Sequence, residues 1–170
     1  MSPRIPSTDV RAVWAALRAV TDPEIPVITI EDLGVLRDVV VGDDGRVEVT
    51  ITPTYSGCPA MDTIRADVEQ VLAGQGFAGA RVRTVLAPAW TTDWISEEGR
   101  RRLAEFGIAP PRPVAAIPPL GAEPVPVELV RCPRCGSGDT RLVSRFGSTA
   151  CKALRACNRC LEPFDHFKAI

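Results

Sequence analysis

Arg46-Val47-Glu48-Val49-Thr50-Ile51-Thr52-Pro53-Thr54-Tyr55-Ser56-Gly57-Cys58-Pro59-Ala60-Met61 decides the fold of the first half of this 170-residue chain. Its first seven residues alternate apolar and polar, the pattern of a strand with one face buried. From Pro59 the period changes, with Met61, Ile64, Val68, Val71 and Leu72 recurring at helical spacing up to Gly74 and Gly76. Between strand and helix stands Cys58, the only cysteine outside the last forty residues.

Working outward, Gly42-Asp43-Asp44-Gly45 predicts a hairpin turn that joins the 46–52 strand to a preceding strand over Val35–Val41. Ala80–Leu86 alternates again and predicts a third strand. Upstream, Ser7-Thr8-Asp9 offers N-caps for an amphipathic helix through Val10, Val13, Trp14, Leu17 and Val20. It stops at Thr21-Asp22-Pro23, because a residue before proline avoids the helical region. Asp22-Pro23-Glu24-Ile25-Pro26 is a stiff acidic loop, and Val27–Gly34 reads as either a short strand or a helical turn closed by Gly34. Ser96 caps a further short helix to Phe106, with Glu97 and Glu98 in its first turn. The expected fold class is α+β: a small α/β sandwich of helices on a mixed sheet, followed by a β module.

Seven prolines lie between Ala109 and Pro126, which reads as a stiff linker. The predicted domains are therefore 1–108, a linker 109–126, and 127–170. Charge follows this division. Residues 1–108 hold 11 basic and 16 acidic side chains, a net of −5, whereas 127–170 hold 8 and 4, a net of +4. A net of +4 with few aromatics is thin for a nucleic-acid face, so no nucleic-acid partner is expected. The sequence has neither a signal-peptide pattern nor an apolar run of membrane length, which predicts a soluble cytoplasmic protein. In that reducing compartment six cysteines point to metal or redox chemistry more than to disulfides.

Cys132-Pro133-Arg134-Cys135 and Cys157-Asn158-Arg159-Cys160 are two C-x2-C knuckles 21 residues apart. Each can turn two thiolates toward one ion, and together they complete a tetrahedral shell, the pattern of a structural zinc ribbon. An iron–sulfur cluster is the alternative that four cysteines can also hold. Cys151 reads as a small buried residue of a ribbon strand. His166, the only histidine, reads as a surface or stacking residue.

Cys58 is expected at the N-cap or first position of its helix, where it reads equally as a buried structural cysteine of a strand-to-helix turn or as a thiolate whose pKa unpaired N–H groups would lower, favouring nucleophilic and metal-binding character. No histidine stands near it in sequence to act as a base, which speaks against a cysteine hydrolase. Asp22, Glu24, Glu31 and Asp32 are the acids expected around it.

Asp22-Pro23-Glu24-Ile25-Pro26, Asp32-Leu33-Gly34 and Gly57-Cys58-Pro59 together resemble the iron–sulfur assembly domain family, over about residues 8–87. The whole chain resembles a narrower family, the PaaD-type accessory components of phenylacetyl-CoA 1,2-epoxidase. The likeness is carried by Thr52–Met61, Ala87–Trp94, Phe146–Leu154 and both cysteine knuckles; Arg155-Ala156 departs from the family pattern. The resemblance implies an accessory role in phenylacetate breakdown, with Cys58 handling an iron–sulfur species, the loop of Asp22 and Glu24 shaping that site, and zinc held by Cys132, Cys135, Cys157 and Cys160. The implied partners are the epoxidase reductase and oxygenase subunits, and a homodimer is compatible with it. An electron-transfer component with a C-terminal cluster, or a docking ribbon, are the competing readings.

Overall fold

A computed structural model describes residues 10–112 and 129–170. The expected caps Ser7–Asp9 and most of the proline-rich linker lie outside the described residues. The chain divides into two compact units, Met1–Trp90 and Thr91–Ile170.

In the first unit α1 (Val10–Leu17) precedes the hairpin β1 (Leu36–Val41) and β2 (Val47–Ile51), then α2 (Ala60–Gly74) and β3 (Arg81–Thr84). β1 and β2 are antiparallel, and β2 and β3 run parallel across the α2 crossover. A parallel pair needs such a crossover, so the helix that follows Cys58 is what carries the chain back to the sheet. Ile64, Val68 and Leu72 make the buried stripe of α2, and Val13, Leu17, Val47, Val49 and Ile51 are buried with them. The Val27–Gly34 stretch is a single turn closed by glycine. Leu33 N–H donates to Thr29 O at 2.9 Å, and Gly34 takes φ 75°. Trp90 is buried and donates its indole N–H to Leu33 O at 3.0 Å, which ties the end of the unit to this turn.

The second unit begins earlier than the proline run suggested. A 3-10 turn at Thr92–Trp94, α3 (Glu97–Phe106) and the two-residue β4 (Ile108–Ala109) belong with the ribbon. The order of its sheet is β4-β7-β6-β5, where β5 is Thr140–Ser144, β6 Lys152–Cys157 and β7 Pro163–Phe167. The physical reason for the earlier boundary is pairing. Ile108 and Ala109 lie parallel to Asp165 and His166 of β7, and Arg100 joins Thr92 O and Pro111 O by hydrogen bonds of 2.8 and 2.6 Å. A composition shift marks a break in chain stiffness, and it carries no signal of a two-residue strand.

Ser96 caps α3 as expected, accepting from Gly99 N–H at 2.9 Å, and Gly107 at φ 93° ends it. His166 is a correction. It is 2% exposed, because β7 is an inner strand whose neighbours β4 and β6 place Ala109 and Ala153 beside it. Burial first, and the Arg155 charge second, hold its pKa down at about 4.

Candidate functional site

The ribbon thiols come together from two turns. Gly136 N–H donates to Cys132 O, and Cys132 N–H to Ser137 O, both at 2.9 Å, closing the first knuckle. The second knuckle joins the end of β6 to the start of β7. Each is followed by a left-handed residue, Gly136 at φ 71° and Leu161 at φ 65°. The four sulfurs lie within 4.8 Å of one another, with Cys132–Cys160 at 3.7 Å and Cys135–Cys157 at 3.6 Å. A tetrahedral zinc with bonds of about 2.3 Å requires sulfur–sulfur edges of about 3.8 Å, so the thiols fit that ion. Backbone N–H groups of Cys160 and Arg159 draw the Cys157 thiol down to about 6. Ala109, Val130 and Phe164 wall the centre with Cys132 and Cys157. Four thiolates fill a tetrahedral shell and leave no position for substrate, which makes this a structural site. Cys151 stands outside it, buried just before β6, with its sulfur 3.0 Å from Thr149 Oγ1.

Cys58 is held differently. α2 starts at Ala60 with Pro59 as its cap, so Cys58 precedes the cap. Gly57, at φ 90°, turns the chain into that position. The expected low thiol pKa is overturned. Burial pushes the half-buried Cys58 thiol up, and the negative charges of Glu24 and Asp22 push the same way. The Ala60 backbone N–H and the Thr54 side chain oppose them and do not prevail. The helix start does contribute an N–H, but burial and the charges of Glu24 and Asp22 outweigh it.

The acidic loop is thus electrostatically coupled to Cys58 across more than thirty residues of sequence. Asp22 is buried, and its Oδ1 accepts from Glu24 N–H and Ile25 N–H, each at 2.8 Å. It holds the loop's shape. Glu24 is exposed. Glu31 and Asp32 are engaged elsewhere, with Arg18 at 3.1 Å and Thr29 at 3.0 Å. Sequence reading missed Thr54. Its signal was position, four residues before the cysteine on the same loop.

Residues 11–87 match the family model described as iron-sulfur cluster assembly protein, and residues 120–168 the one described as PaaD zinc beta ribbon domain. An iron–sulfur assembly domain followed by a zinc ribbon is the class that fold and cysteines define. Over 161 residues the chain is 48% identical to an Escherichia coli protein named as a component of 1,2-phenylacetyl-CoA epoxidase, covering 95% of this chain and 93% of that one. The chain belongs to that PaaD family of epoxidase components. An Fe-S protein maturation auxiliary factor of Porphyromonas gingivalis is 44% identical over 88 residues, 51% of this chain and 83% of its own. The crystal structure of a domain of unknown function (DUF59) from Bacillus anthracis superposes with a TM-score of 0.52 at 30% identity, covering 55% of this chain and 90% of that one. No helix among the described residues is long and apolar enough to cross a membrane.

Proposed function

We propose that this protein is the PaaD-type accessory component of a phenylacetyl-CoA epoxidase system and assists iron or iron–sulfur maturation of its reductase or oxygenase partners. Cys58 is the transient ligand for that cargo. The observation that carries this reading is the match of residues 11–87 to the iron–sulfur cluster assembly family, with a half-buried Cys58 whose thiol is pushed up by burial and by the charges of Glu24 and Asp22. A metal ligand must shed its proton, so protons compete for a thiol of high pKa and weaken its hold on a metal. The carboxylates offset part of that loss by attracting the cation. Such a site binds and releases, which suits hand-over better than storage. The four-thiolate ribbon would supply a stable platform for docking the client.

The test is Cys58→Ser in cells that depend on the epoxidase. We expect the variant to accumulate as folded protein while the client loses cluster or iron and ring-epoxidising activity. Full client loading with Cys58→Ser would remove the thiol from the function. Iron and sulfide, in place of zinc, in anaerobically isolated protein would favour the electron-transfer reading.

A further inference from the structure

The geometry points to the outer edge of β5 as the place where a client adds one extended segment, apolar at its centre and acidic on either side. This deepens the reading of the ribbon as the docking part and rests on it. β5 ends the order β4-β7-β6-β5, and among the described residues no strand pairs with its outer side. An unpaired edge offers backbone N–H and C=O groups to another chain. Leu142 and Val143, at the register shift of this edge strand, are 49% and 48% exposed. Phe146, two residues past the strand, is 67% exposed. Lys168 Nζ lies 4.7 Å from its ring centre and donates to Arg145 O at 3.2 Å, so the ring is held in place.

Charge selects the occupant. Arg141 and Arg145 are exposed, and neither makes an ion pair among the described residues. A second copy pairing antiparallel about Val143 would set Arg141 opposite Arg145, and like charges directly opposite destabilise a sheet. The edge therefore disfavours its own copy and favours a strand of another protein with Asp or Glu at those two positions. The register shift between Leu142 and Ser144 further limits which strands fit.

The experiment uses the full metal-loaded chain and two seven-residue peptides. One has glutamate second and sixth, valine from third to fifth and threonine at both ends; the other has lysine in place of glutamate. Backbone amide NMR should show shifts and slowed exchange confined to residues 140–146 with the glutamate peptide. That peptide should bind roughly tenfold tighter than the lysine peptide, and the double variant Arg141→Glu with Arg145→Glu should reverse the order. Equal affinity for both peptides, shifts centred away from β5, β5 amides already protected in the isolated chain, or a dimer formed through β5 would each overturn the proposal. Cys58→Ser protein should bind the glutamate peptide as the wild type does, so failure of the edge and failure of the thiol are told apart.

Discussion

The two units use the same element, sulfur, in opposite settings. In the ribbon four thiols converge within 4.8 Å, and their crowding splits them, with Cys157 drawn down to about 6 by backbone N–H groups and Cys160 pushed up to about 12 by burial and its neighbouring thiols. In the first unit one thiol stands alone, half-buried beside acidic groups, and is pushed up. Several thiolates cannot share so small a space without a cation, so the ribbon is built around one. A single protonated thiol needs no cation to be stable. The number of neighbouring thiols and the nearby charge, more than the cysteine itself, separate the two settings.

The largest test of this contrast is Cys157→Ser. A unit of this size has little core of its own, and structural zinc contributes about 10–16 kcal/mol to folding in small zinc domains. Amide spectra should show the second unit losing its dispersion while β1–β3 and α2 of the first keep theirs. Retention of the ribbon signals would mean that packing, not metal, holds the unit.

Acid should separate the units next. His166 has a folded pKa of about 4 against an ordinary 6.5. Between those values the unfolded chain binds the proton and the folded chain does not, so stability falls as pH drops through that window, by up to about 3 kcal/mol. Denaturant titrations at pH 7 and pH 4.5 should show the loss for wild type and a smaller one for His166→Gln. Equal losses would remove the imidazole from the account.

A raised thiol also predicts its own reactivity. Alkylation of Cys58, followed by mass spectrometry, should be slow at pH 7 and accelerate about tenfold per pH unit until the thiol ionises. Rapid reaction at neutral pH that levels off early would contradict the protonated state described above.

The smallest effect concerns the knuckles. Leu161 adopts the left-handed conformation that Gly136 adopts after the other knuckle, and it is 79% exposed. Leu161→Gly relieves a strain of about 1 kcal/mol without removing a buried side chain. Thermal unfolding of the metal-loaded ribbon should move upward; no gain would mean that the enlarged freedom of the unfolded chain cancels the relief.

Most of the first unit was legible, because its signals are local. Gly42–Gly45 announced the hairpin, and the change of period after Cys58 announced α2. The ribbon thiols were legible from spacing alone. What could not be read depended on contacts distant in sequence. β4 is two residues long and exists only because β7 lies beside it, so no periodicity marks it. Cys58 precedes the cap, one position before the expected N-cap and two before the expected first helical position, and its raised pKa follows from burial and from Glu24, which local sequence does not display. His166 looked like a surface residue because a lone polar side chain carries no sign of which strand becomes internal.

Ile170 closes the second unit. Ile170 O accepts from Thr92 N–H at 3.1 Å and from the Thr91 hydroxyl at 2.8 Å, while β4 waits for β7, more than fifty residues downstream. On the ribosome the first unit has all its strands once Trp90 has emerged, whereas the second cannot latch until Ile170 is made. The unit that carries Cys58 can therefore complete its sheet before the unit that carries the four ribbon thiols can close.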